Sequence, residues 1–129
     1  MTNDKICFEA EFVEVASEEY TPDFIVHGIY FGEGDPEEGG EHWNFTRTLE
    51  TDDEGVCTVK EIQQVTIYGG ITRFLLERNH LICEFDENRS KETGTKKLSI
   101  TYDISDEEWV KLIEKSQLVF SGESYFEIR

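Results

Sequence analysis

The chain has 129 residues, with 29 acidic against 12 basic side chains and a net charge of −17. That length suits one domain, residues 1–129, with a core able to stand without staples. The acidity argues against a surface for nucleic-acid phosphates, which needs clustered Lys and Arg; no apolar run is long enough to span a bilayer, and the opening MTNDKICFEA lacks a signal layout, so a cytoplasmic protein is expected.

Ile6, Phe8, Ala10 and Phe12 alternate with Cys7, Glu9, Glu11 and Val13, which predicts one half-buried strand. Glu9 and Glu11 share a face; a catalytic carboxylate pair could use them, and a solvated outer face explains them more simply. Ser17 to Asp23 reads as a polar break closed by Thr21-Pro22. A largely buried strand follows from Phe24 to Phe31, with Gly28 marking a bulge or a close approach. Within it, His27 has apolar neighbours and no ligand-spaced companion, so a hydrogen-bonded histidine is expected rather than a metal ligand.

Gly32 to Glu41, GEGDPEEGGE, is a surface loop without the ordered ligand pattern of a calcium site. The strand His42 to Leu49 separates it from a second acidic run, Glu50-Thr51-Asp52-Asp53-Glu54-Gly55. If that strand pairs with the one before it, the two acidic loops lie at opposite ends of a hairpin; if the chain crosses over, they share an edge. Val56–Val59 and Ile62–Ile67 read as a strand and its continuation across Lys60-Glu61.

Tyr68-Gly69-Gly70 then predicts a bulge or sharp bend, where a side chain would block the backbone path. Ile71 to Arg78 and Leu81 to Phe85 form a hairpin around an Asn79-His80 loop. Asp86 to Lys97 is a polar connection with room for a helical turn, and Leu98 to Asp103 alternates as a further strand. Ser105-Asp106-Glu107-Glu108 is a capping box. Trp109, Leu112, Ile113, Ser116 and Phe120 follow at helical spacing and place a core helix on the sheet. Ser121-Gly122 ends it, and Ser124 to Ile128 suits a last edge strand. The fold class is therefore α+β, mainly antiparallel β with about seven to nine strands and one C-terminal amphipathic helix packed on the sheet.

Tyr68-Gly69-Gly70-Ile71, followed by a strand and Leu76-Glu77-Arg78-Asn79-His80-Leu81, resembles the immunity protein 10 family of bacterial polymorphic-toxin systems. Glu92-Thr93-Gly94, the strand Leu98 to Asp103 and the helical segment Ser105 to Phe120 match the family's downstream pattern. His42-Trp43-Asn44-Phe45-Thr46-Arg47 is similar to a family strand ending in arginine. The insert Gly32 to Glu41 and the tail after Phe120 have no counterpart in that pattern. The resemblance implies a protein that binds and blocks a cognate toxin in the producer's cytoplasm and does no chemistry of its own.

The charge is uneven. Residues 1–64 hold 17 acidic and 3 basic residues, a balance of −14; residues 65–129 hold 12 and 9, a balance of −3. Such a bias either keeps the protein soluble or aims a field at a basic partner. Joined to the resemblance, it nominates Glu33, Asp35, Glu37, Glu38, Asp52, Asp53 and Glu54 as partner-binding, with Trp43 or Tyr30 as the aromatic anchor. A nuclease toxin, with a positive cleft, is one partner such carboxylates would suit.

Nothing in the sequence assembles an active site. The three histidines lie in no nucleophile motif, no Cys/His pair has zinc-ligand spacing, and no phosphate loop or HExxH is present. No cofactor and no metal are expected. Cys7, Cys57 and Cys83 are an odd number, each within an expected strand, and read as reduced, mostly buried thiols. Two other functions stay open: a small β-rich enzyme or ligand binder with a pocket near Tyr68-Gly70, using Tyr68, His80 and Gln64, and a subunit that self-associates through a strand edge.

Overall fold

A computed structural model describes residues 3–38, 40–60 and 65–129. The strands are β1 (Asn3–Glu9), β2 (Phe12–Thr21), β3 (Phe24–Gly32), β4 (His42–Arg47), β5 (Cys57–Lys60), β6 (Val65–Tyr68), β7 (Ile71–Glu77), β8 (His80–Phe85), β9 (Thr95–Thr101) and β10 (Phe126–Ile128). The helices are α1 (Glu87–Thr93) and α2 (Asp106–Val119), with a 3-10 turn at Pro36–Glu38. Sheet I runs β1-β9-β8-β7-β10 and sheet II runs β2-β3-β4-β5-β6. Sheet II is antiparallel throughout, whereas β1 and β10 join sheet I in parallel. The α+β class holds, with ten strands among the described residues and a second helix.

The two sheets pack face to face. Trp43 of sheet II stacks on Phe85 of sheet I at 6.1 Å, and Phe45 meets Phe74 edge-on at 5.1 Å. Each such ring contributes about 1.5–3 kcal/mol on full burial. The α2 helix lies along the inner side of β2, β3 and β4, where Leu112, Ser116 and Val119 are buried. Phe120, at its C-cap, stacks on Phe126 at 4.8 Å and lies 4.2 Å from Phe74, so it joins the helix end to sheet I. Both bonds of the capping box at Ser105 and Glu108 are present.

The expected N-terminal strand is in fact two. Ala10 N–H donates to Thr101 O of sheet I at 2.8 Å, and Glu11 N–H donates to Gly32 O of sheet II at 2.7 Å. Consecutive amides thus serve different sheets, and the chain crosses between them with its alternation unbroken. Glu9 and Glu11 fall on opposite sides of that crossing. Cys7 is exposed rather than buried, because β1 is an edge strand and turns Ile6 and Phe8 inward; Cys57 is half-buried and Cys83 fully buried.

Ser17 to Asp23 is no break: β2 continues to Thr21 because its ladder with β3 continues, and the turn is Pro22-Asp23. An edge strand tolerates polar residues on its wet face. Nor do Val56–Val59 and Val65–Ile67 form one continued strand, since β5 folds back on β6 with Lys60 opposite Val65. Glu61, Ile62, Gln63 and Gln64 lie outside the described residues. In the β7–β8 hairpin the loop is Arg78-Asn79, one residue early, with Glu77 opposite His80. Arg78 is drawn to Ile104 O at 2.8 Å, and Asn79 O accepts from Tyr102 N–H at 3.1 Å. The polar connection holds the whole of α1, capped by Asp86, which accepts from Arg89 N–H at 2.7 Å, and by Gly94 at φ 83°.

Tyr68-Gly69-Gly70 is the second crossing. Gly69 (φ 69°) and Gly70 (φ 82°) adopt left-handed backbone and carry the chain from β6 in sheet II to β7 in sheet I.

Candidate partner-binding face

Period-two alternation gives sheet II one inner and one outer side. Ile29, Phe31, Trp43, Phe45 and Ile67 point into the core. The positions between them therefore point out: Phe12, Glu14, Ala16 and Glu18 on β2; Val26, Gly28, Tyr30 and Gly32 on β3; His42, Asn44 and Thr46 on β4; Cys57 and Val59 on β5; Thr66 and Tyr68 on β6. No described helix covers this side, since α2 occupies the other: Lys115 reaches inward-facing Ser17, and Arg47 reaches Val119 O.

The outer side is aromatic. A side chain at Gly28 would overlap the Tyr30 ring, and one at Gly32 would overlap Phe12 and His42, so both glycines leave room for rings lying flat on the sheet. Phe12 packs on His42 at 5.4 Å, and Tyr20 on Phe24 at 5.6 Å. Tyr20 (63%), Tyr68 (48%), Phe24 (39%) and Phe12 (36%) stay exposed at this face and its β2–β3 turn. In the sequence Tyr20 falls in an apparent polar break and Phe12 continues the apolar face of Ile6, Phe8 and Ala10; the crossing between sheets at Ala10-Glu11 is what puts Phe12 on the outer side.

The outer side also lacks cations. No Lys or Arg occurs between Lys5 and Arg47, and none of the described outward side chains on the five strands is Lys or Arg. Arg47 turns inward. Its Nε donates to Asp53 at 3.1 Å, and its Nη1 donates to Ser121 O at 2.5 Å. Sheet I differs: its outer side carries the row Lys5, Lys97, Glu84 and Arg73, in which Arg73 lies 3.5 Å from Glu84. The uneven charge of the sequence thus becomes a contrast between two outward faces.

Because β4 pairs with both β3 and β5, the acidic loops leave from opposite ends of β4. In the first loop, Asp35 accepts from Glu37 N–H at 2.9 Å, and the His42 ring bonds Gly34 O at 2.8 Å. Asp35, Glu37 and Glu38 are exposed, while Glu33 is half-buried and accepts from Glu41 N–H at 3.4 Å. In the second loop, Asp52 and Glu54 are exposed. Asp53 is held by Arg47, whose hydrogen bonds keep its carboxyl below the ordinary range. Glu50 bonds the His27 ring at 2.8 Å, which lowers its pKa in turn. On its other side His27 bonds Ser17 at 2.8 Å, so it is the hydrogen-bonded histidine expected.

Trp43 is a correction. It is fully buried, facing Phe85, with Lys60 Nζ 5.4 Å from its ring centre. Its neighbours His42 and Asn44 take the outward positions, so Trp43 anchors the core and not a partner. Tyr30 is half-buried on the outer side.

At the second loop the face deepens into a groove of about 310 Å³, bordered by Phe24, Asp52, Glu54, Cys57 and Tyr68; Arg47, the cation in its lining, is already paired with Asp53. No histidine lines it. His80 lies on the outer side of sheet I, 2.7 Å from Ser99 Oγ, so Tyr68 and His80 do not share a pocket; Gln64 is outside the described residues. Among the described residues no His, Cys, Asp and Glu side chains converge as a metal site. No described helix is long and apolar enough to cross a membrane. The motif residues around the two crossings are scaffold: Arg78 ties the hairpin to Asp106 at 2.7 Å, Tyr102 donates to Glu77 O at 2.6 Å, and Arg89 donates to Tyr68 O at 2.9 Å.

A family model described as Immunity protein 10 matches residues 10–110. Comparison with curated proteins and with solved structures gives no match.

Proposed function

As the chain belongs to the immunity protein 10 family, we propose that it binds and neutralises a cognate toxin protein through the outer side of sheet II, in the cytoplasm and without catalysis. The observation that carries this reading is the composition of that side: exposed aromatic rings, no Lys or Arg among the described outward residues, and an acidic loop at either end. The rings supply apolar contact and the carboxylates supply direction. Charge steers a basic partner onto the face, and desolvated aromatic side chains hold it there.

Glu33, Asp35, Glu37 and Glu38 act at one end, and Asp52 and Glu54 at the other. Asp53 contributes by shaping its loop through Arg47. Tyr68 and Phe24, beside Asp52 and Glu54, are the anchoring rings, since Trp43 is buried. A toxin that acts on nucleic acid fits best, since its positive cleft would accept carboxylates in place of phosphates.

The test is co-expression with candidate toxin domains, followed by kinetics on the purified pair. Replacing Glu33, Asp35, Glu37 and Glu38 by Gln and Asn is expected to slow association at low salt, and the difference should fade toward 1 M, where screening acts within about 3 Å. An unchanged on-rate removes the steering role of that loop, and failure to protect cells from the toxin removes the whole reading.

A further inference from the structure

One edge of sheet II is left open along its length. β2 is ten residues long and pairs with β3 alone among the described strands. Glu33 N–H donates to Glu41 O at 2.8 Å, so on β3 the odd-numbered residues aim their backbone groups at β4 and the even-numbered ones at β2. Glu14 stands opposite Tyr30 and Ala16 opposite Gly28. The N–H and C=O groups of Val13, Val15 and Ser17 therefore face away from the sheet.

A trough follows this edge. Its first part, about 310 Å³, is bordered by Ala10, Glu11, Tyr102 and Ile104; its second, about 260 Å³, by Val13, Val15, Glu108 and Lys111. Val13 and Val15 point to the core side, while Glu14 and Glu18 point outward. Lys111, the basic residue at the trough, lies 3.3 Å from Glu107.

We propose that this edge accepts an extended strand of the partner, apolar where it meets Val13 and Val15 and basic where it meets Glu14 and Glu18. The proposal rests on the toxin-binding reading above and adds the mode of contact. Main-chain bonds would supply affinity and the alternating side chains selectivity. A second copy of this chain is the poorer occupant, because pairing β2 with β2 brings glutamates against glutamates, and charge on an edge strand blocks such self-pairing.

The test uses the full chain and the toxin domain against which it protects in co-expression. Binding is expected to slow amide hydrogen exchange at Val13, Val15 and Ser17. Val15→Pro removes an outward N–H and leaves the β3 ladder intact, so affinity should fall by about tenfold or more. Because Val15 also packs on the core, Glu14→Lys with Glu18→Lys serves as the second variant; it leaves the backbone untouched and should weaken binding comparably. Tight toxin binding with those three amides still exchanging freely overturns strand addition and leaves the immunity reading standing. If the toxin does not bind at all, that reading falls. An alternating Lys-Val peptide of about eight residues then decides the edge: protection of the same amides upholds it, and unprotected amides overturn it.

Discussion

Gly70 and Arg89 are fitted against each other: a Cβ on Gly70 would overlap Arg89 Cγ, and the same guanidinium donates to Tyr68 O at 2.9 Å. Gly69, one residue earlier, also has left-handed backbone but open space where a Cβ would go. The pair separates two costs. Gly69→Ala is expected to lose about 1–2 kcal/mol from the backbone alone. Gly70→Ala should lose at least about 1 kcal/mol more, because Arg89 must also move. Urea denaturation measures both, and equal losses would mean that Arg89 yields freely.

Trp43 and Tyr68 are both aromatic residues of sheet II, and they should fail in opposite assays. Trp43→Ala empties a fully buried site and is expected to cost about 3–5 kcal/mol of folding stability. Tyr68→Ala should leave the unfolding midpoint nearly unchanged and raise the dissociation rate of the toxin complex. A Tyr68→Ala protein that binds as wild type would exclude the groove from the interface.

Arg47 joins the second acidic loop to the end of α2, through Asp53 and the carbonyls of Val119 and Ser121. Arg47→Ala is expected to cost about 1.5–3 kcal/mol, the range for hydrogen bonds to charged groups. Asp53 has a carboxyl pKa lowered by Arg47. Its stabilising contribution is therefore complete above its unfolded pKa of about 3.9 and is lost as pH falls through the lower folded value. Asp53→Asn should be less stable than wild type at neutral pH, with the gap closing in acid. Asp52→Asn and Glu54→Gln, whose targets are exposed, should leave stability unchanged.

The three cysteines should react in an order set by burial. Cys7 is exposed and should be labelled by a disulfide reagent in the native state. Burial raises the thiol pKa of Cys57, and raises that of Cys83 further, so less of either is present as the reactive thiolate. Cys57 should react slowly, and Cys83 only at the rate of unfolding. Rapid labelling of Cys83 in native protein would contradict its place in the core.

Alternation found nearly every strand in the sequence, and the serine-led capping box marked α2, because both depend on a few neighbouring residues. The two glycines after Tyr68 announced a bend for the same local reason. Burial of Trp43 was legible, since Trp43 and Phe45 share one face of β4 and polar His42, Asn44 and Thr46 the other; naming Trp43 as an anchor overlooked that alternation. The antiparallel pairing of β5 with β6 was missed because no glycine or proline stands between Lys60 and Val65 to separate the two apolar runs.

From sequence alone came the α+β class, the bend, the helix cap, the family resemblance and the imbalance of charge between the two halves. These follow from backbone preferences, side-chain periodicity and simple counting, which act within a few residues or need no geometry. Tertiary structure alone assigned each strand to its sheet, split the N-terminal strand at Ala10-Glu11, and brought Tyr68 beside Asp52 and Glu54. Those outcomes depend on hydrogen bonds between distant residues, such as Ala10 with Thr101, and on a parity that one residue of register reverses.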